Sequence, residues 1–166
     1  SEPGVHSVVP PRAQGGNLDV RDLTRGTKLW LPVAVEGALL SIGDTHAAQG
    51  DGEVCGTAVE TAMTVRVKVD LVKNAGYQNP RYEVTGEAAS EPMPKGFYAT
   101  TGVAPDLMDA TKDAIRAMID HLGKEYGLEP AMAYALCSVA VNLRISEVVD
   151  MPNWVVSAVL PKHIFV

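Results

Sequence analysis

Cysteine is scarce in this chain, with Cys55 and Cys137 the only two in 166 residues. Two thiols can pair once, but they cannot build the cross-linked framework of a small secreted domain. The sequence therefore predicts free thiols and a cytoplasmic protein. Long apolar runs are missing too. None reaches the ~20 residues that cross a bilayer as a helix, so no membrane partner is expected. No signal peptide is read at the start. Positive charge is in deficit, with 14 Lys and Arg against 20 Asp and Glu. A net charge of −6 leaves no electrostatic footprint for nucleic acid. The Gly-x-Ser-x-Gly turn of serine hydrolases is absent, as are internal repeats and coiled-coil heptads. What is present is globular: 46% hydrophobic and 20% charged residues, long enough for one ordinary core.

Polar chemistry concentrates between Asp44 and Cys55. Asp44, His46, Gln49, Asp51, Glu53 and Cys55 fall there among Gly43, Gly50, Gly52 and Gly56. In an extended segment Asp44 and His46 face the same way, and so do Asp51 and Glu53. A carboxylate oxygen with an imidazole nitrogen suits zinc, and equally manganese or iron. Gly50 and Gly52 let the backbone approach a ligand closely. The plainer reading is a polar hairpin turn, with Asp44 and Asp51 bonding local amides and His46 half exposed.

The remaining pattern predicts an α+β fold. Residues 1–26 read as loop, broken by Pro10-Pro11 and Gly15-Gly16. The first residue, Ser1, reads as an internal position exposed by cleavage; an N-terminal serine nucleophile is the alternative. Strands are expected over 28–35, with Pro32 marking an edge or a bulge, over 38–42 and over 53–60. The clearest alternation is 63–72, where Val65, Val67, Val69 and Leu71 interleave with Arg66, Lys68 and Asp70. It predicts an antiparallel strand with one buried face. Short strands follow at about 81–84 and 97–101, separated by an exposed loop over 87–96. A helix is expected from Pro105 to about Leu122, its stripe formed by Leu107, Thr111, Ala114, Ile115, Met118 and Leu122. Gly123 and Gly127 mark its stop, and His121 is read as a surface residue of the last turn. Pro130 opens a second helix. Its lack of charge from Ala131 to Leu143 predicts burial on most sides, with Cys137 in the core. Arg144 and Glu147 are close enough to pair, and 154–160 reads as a central strand. Residues 1–104 thus form a β-rich portion carrying the glycine-rich stretch, and residues 105–166 a smaller portion with two helices and a C-terminal strand.

The run Gly43-Asp-Thr-His-Ala-Ala-Gln-Gly-Asp-Gly-Glu-Val-Cys-Gly-Thr-Ala-Val-Glu60 resembles the signature of the acetamidase/formamidase family. So do Gly15-Gly-Asn-Leu-Asp19, Gly96-Phe-Tyr-Ala-Thr-Thr-Gly102, Ala133-Tyr-Ala-Leu-Cys-Ser-Val-Ala140, Leu143-Arg-Ile-Ser-Glu-Val-Val-Asp150 and Pro152-Asn-Trp-Val-Val-Ser157. The likeness extends over nearly the whole chain, yet family members are substantially longer, so this chain looks like their C-terminal half. The resemblance implies a sandwich of antiparallel sheets joined to a smaller α/β portion. It implies hydrolysis of short amides such as formamide or acetamide, with zinc or a similar divalent ion. It also implies an upstream half of the same protein as partner. Oligomerisation is expected as well.

On that basis Asp44 and His46 are the expected metal ligands, Glu53 the general base or a third ligand, and Asp51 the residue that orients His46. Asn17 and the amides around Gly50 and Gly52 are expected to hold the substrate oxygen. The alternatives are Cys55 as a nucleophile beside Glu53, acting on amides or lactams, and a non-catalytic half that only completes a fold with its partner.

Overall fold

A computed structural model describes residues 4–89 and 93–165; Ser1 lies outside them. Its centre is a five-stranded, wholly antiparallel sheet. The strands in chain order are β3 (Lys28–Trp30), β6 (Arg81–Val84), β7 (Phe97–Ala104), β8 (Asn142–Glu147) and β9 (Trp154–Pro161). In space they run β3-β6-β7-β9-β8. The sheet draws strands from both sides of residue 104, so both stretches contribute to one sheet. Two small ribbons stand apart: β1 (Pro11–Arg12) with β2 (Gly15–Gly16), and β4 (His46–Ala48) with β5 (Val59–Glu60).

Alternation along β7 and β9 sends successive side chains to opposite faces. Tyr98, Val156, Ala158 and Leu160 meet helix α1 (Leu107–Tyr126), which buries Ala110, Ala114, Met118 and Leu122 against them. Phe97, Ala99, Val155 and Val159 face the other way, onto Val20 and Met93. Of the tract expected as an exposed loop over 87–96, residues 90–92 lie outside the described residues, and Met93 is buried. Helix α1 begins two residues after Pro105 because Asp106 caps it, accepting a hydrogen bond from the Asp109 amide at 2.9 Å. Gly127, left-handed at φ 67°, ends it. A short 3-10 turn (Lys162–Ile164) follows β9. No helix among the described residues is long and apolar enough to cross a membrane.

His121 departs from its expected surface position. Its ring stacks on Tyr98, with centroids 3.8 Å apart and planes 8° from parallel. Burial, and then the nearby Arg81 charge, hold its pKa down to about 4. The unfolded chain takes up this proton near pH ~6.5, where the folded chain still refuses it. Stability is therefore lost as pH falls from there towards about 4, and the loss stops below that value. Urea unfolding should show His121→Phe losing less stability between pH 7 and pH 5 than the parent chain.

Five other expectations need correction. Residues 63–72 form no strand, and Val65, Val67, Val69 and Leu71 are all exposed. The alternation is real, but no described element lies over its apolar side. Residues 38–42 are irregular because Ala38 and Leu39 take positive φ angles of 56° and 54°. The strand expected over 53–60 shrinks to Val59–Glu60, since Glu53 turns the chain at φ 46°. Helix α2 (Pro130–Ala140) buries Ala133 and Cys137 but leaves Met132, Tyr134 and Val139 exposed. Arg144 does not meet Glu147. Its Nη1 donates to Asp22 Oδ2 at 2.8 Å in a pair almost closed to water.

Candidate metal centre

The site assembles at the outer edge of β8. The glycine-rich loop docks there backbone to backbone: Gly52 N–H donates to Ser146 O at 3.0 Å, and Val148 N–H donates to Gly52 O at 3.2 Å. This places Glu53 beside the end of β8. The 18–23 segment, anchored by Val20 in the core, carries Asp19 to the same place. There the Asp19 amide donates to Glu147 Oε2 at 3.4 Å. Asn17 Nδ2 donates to Asp150 Oδ2 at 2.7 Å and ties the 150 region in. The β4–β5 ribbon, closed by Thr61 N–H donating to Thr45 O at 2.8 Å, delivers His46.

His46 is the pivot. Its Nδ1 lies 3.0 Å from Gln49 Oε1, and the Gln49 amide nitrogen donates to the Asp19 carbonyl. Its Nε2 is buried and has no hydrogen-bond partner. That atom stands 3.6 Å from Asp44 Oδ2 and 4.0 Å from Asp19 Oδ1. Neither spacing is a hydrogen bond. Ligands at zinc distances around a tetrahedral ion sit about 3.4 Å from one another. The spacing therefore suits donors that converge on a cation. Three donor groups have all their ligand atoms within 4.8 Å: Asp19, His46 and Glu53; Asp44, His46 and Glu60; Asp19, Glu147 and Asp150.

The electrostatics agree. Burial, reinforced by the charges of Glu53 and Asp150, pushes Asp19 up to about 7. Burial pushes Glu147 up to about 9, with Asp19, Asp150 and Glu53 adding to it. Burial also raises Glu53, against the opposing pull of Asp19 and His46. At His46 burial disfavours charge, yet Gln49 and the surrounding carboxylates outweigh it and raise the pKa. Glu147 is wholly buried, and its Oε1 has no partner. Repelling carboxylates out of water demand either protons or a cation. Carboxylate oxygens with one imidazole fit a divalent ion of the zinc or manganese kind.

Asp44 and Glu53 thus each come within reach of His46, in separate donor groups, although Asp44 is left-handed at φ 53° instead of extended. Asp51 stands apart from them. It faces Arg21 Nη1 at 3.7 Å, and the side chain that meets His46 Nδ1 is Gln49. The turn at Glu53 separates the two acids that an extended strand would have aligned. The Gly52 amide is committed to Ser146, whereas Gly50 is exposed and its carbonyl accepts from Glu53 N–H at 3.4 Å. Cys55 is exposed, with its Sγ donating to Thr57 O at 3.5 Å, while Glu53 is buried, so they share no face. Sequence reasoning missed Asp19, Glu60, Glu147 and Asp150 as donors. Asp19 and Asp150 close two of the motifs that carry the family resemblance, and that was their available signal.

Fold and site together define an α+β protein that gathers one imidazole and several buried carboxylates at a sheet edge, a donor set that could hold a divalent cation. Residues 3–166 match the acetamidase/formamidase family. The chain is 34% identical to a formamidase of Methylophilus methylotrophus over 95% of its own length and 42% of that protein. It is 36% identical to an acetamidase of Mycolicibacterium smegmatis over 78% of its length and 35% of that protein. Among solved structures it resembles the acetamidase of Yersinia enterocolitica, with a TM-score of 0.83 at 41% identity, covering 95% of this chain and 44% of that one. The chain belongs to the acetamidase/formamidase family, and it spans less than half the length of these relatives.

Proposed function

We propose that this chain carries the metal centre of an amidohydrolase that converts short linear amides, such as formamide and acetamide, to the carboxylate and ammonia. The carrying observation is the buried, partnerless Nε2 of His46 between Asp19 and Asp44. In this reading His46 and Asp44 hold the ion together with Asp19, Glu53 or Glu60. When bound, a divalent ion of the zinc type polarises a carbonyl and makes water a nucleophile near neutral pH. Glu53 and Asp19 bring carboxylate oxygens within 4.8 Å of each other, and the Glu53 charge adds to burial in favouring the protonated form of Asp19. Glu53, raised by burial, takes a proton from water and returns it to the departing amine. Asn17 has one amide hydrogen beyond the one given to Asp150, and with the Gly50 amide it is the proposed donor to the substrate oxygen.

The partner we propose is the upstream half of a full-length family chain. Two observations support it: the shared length with relatives, and the uncovered apolar side chains on 33–42, on 63–72 and on α2. Exposed apolar surface this extensive marks an interaction face. Left uncovered, it favours homo-oligomers.

The test is ammonia release from formamide and acetamide, with the chain alone and with the upstream polypeptide added. Activity should fall on treatment with a strong chelator and return with zinc. Activity that ignores the chelator but falls to a thiol reagent would shift the chemistry to Cys55.

A further inference from the structure

We propose that Gln49 is a positioning residue that selects the tautomer of His46, leaving Nε2 bare and ready to bind a cation. The inference rests on reading His46 as a metal ligand.

An amide side chain has one donor end and one acceptor end. At Gln49 the assignment is forced from outside. Its nitrogen meets the Asp19 backbone carbonyl, which can only accept. Its Oε1 is therefore the atom at His46 Nδ1, 3.0 Å away. An amide oxygen there needs a hydrogen on Nδ1, because the other tautomer would set two lone pairs against each other. With Nδ1 protonated, the neutral ring keeps its lone pair on Nε2. That nitrogen is buried, unpartnered and flanked by Asp44 and Asp19. A ring free to change tautomer would spend part of its time with a hydrogen where the ion must bind. Gln49 also joins the segment bearing Asp19 to the ribbon bearing His46, holding two donors in register.

Two measurements test this. Long-range proton–nitrogen correlation spectra of the metal-free chain, taken above the imidazole pKa, identify which ring nitrogen of His46 carries hydrogen. Competition against a chromophoric chelator gives zinc affinity. The wild-type chain should show the hydrogen on Nδ1. Gln49→Leu removes both ends of the amide; it should mix the tautomers and weaken zinc binding by about 10–100-fold. Gln49→Glu keeps an acceptor at Nδ1 but loses the donor to the Asp19 carbonyl; it should keep the Nδ1–H tautomer and weaken zinc binding less than Gln49→Leu does. Wild-type hydrogen on Nε2, or a Gln49→Leu chain with unchanged tautomer and zinc affinity, overturns the proposal. The wild-type spectrum decides without any variant, so misfolding of Gln49→Leu does not blunt the test. If wild-type chain binds no zinc, the metal reading fails, while the tautomer result still decides the role of Gln49.

Discussion

On the proposed metal reading, a His46→Ala chain should bind zinc at least about 100-fold more weakly than wild type and lose amide turnover in parallel, while its fold survives. His46 is the only nitrogen donor in the described donor groups. Without it the remaining ligands are carboxylates, which suit hard ions and discriminate poorly for zinc. The fold should tolerate the change because His46 lies on the small β4–β5 ribbon, outside both hydrophobic cores. The local losses are the Gln49 hydrogen bond and a partly buried ring, together about 1 kcal/mol. Zinc affinity, ammonia release and near-UV circular dichroism measured on one preparation check all three expectations. His121→Phe is the matched control, since it alters a half-buried histidine on α1, stacked on Tyr98, and should leave zinc affinity alone. Zinc retention with full turnover in His46→Ala would remove His46 from the centre.

The contrast between these histidines shows where sequence reasoning reaches. His46 was legible because its neighbours in sequence are also its neighbours in space: Asp44, Gln49 and Glu53 come from one polar stretch. Asp19, Glu147 and Asp150 reach the same place only through the sheet. Their proximity depends on β8 forming an edge, on Gly52 docking to it, and on Val20 pinning the 18–23 segment. None of those events is written in local spacing. His121 sits near a helix end, which favours a cation at the surface. The stack on Tyr98 comes from β7, and it overrode that local preference.

The same distinction runs through the fold. Helix α1 was readable because its stripe and its Gly127 stop are local signals, whereas its start moved from Pro105 to Leu107 because Asp106 caps it. Strands β7 and β9 were readable from their apolar content. The 63–72 stretch and α2 misled for a common reason. Apolar pattern reports what a segment can bury, and burial also needs a second surface. The described residues supply that surface for α1 and not for 63–72 or the outer face of α2.

Gly102 carries the largest expected effect on stability. It lies in β7 on the face that meets α1, in line with Tyr98 and Thr100. A Cβ added there would stand 1.8 Å from the Ala110 carbonyl oxygen and 2.8 Å from the Ala114 nitrogen. Both obstacles are helix backbone, which cannot rotate away as a side chain can. Gly102→Ala must therefore push α1 off the sheet by more than an ångström to restore ordinary contact. That loosens the packing of Met118 and Leu122 and stretches the bond from Thr100 Oγ1 to Ala114 O, now 2.7 Å. Overpacking of this kind costs about 3 kcal/mol, which lowers Tm by about 6–12 °C in a domain of this size. Gly43→Ala is the counterpart: no atom lies within 4 Å of its added Cβ. The same change there stiffens the unfolded chain and should leave stability equal or higher by up to about 1 kcal/mol. The two glycine variants thus separate backbone contact from chain entropy. Gly102→Ala also mirrors His46→Ala. Held well below its lowered Tm, it should keep wild-type zinc affinity, because α1 packs on the sheet while the donors gather at the edge of β8. Equal thermal stability of Gly102→Ala and Gly43→Ala would mean that α1 does not rest on the β7 backbone at all.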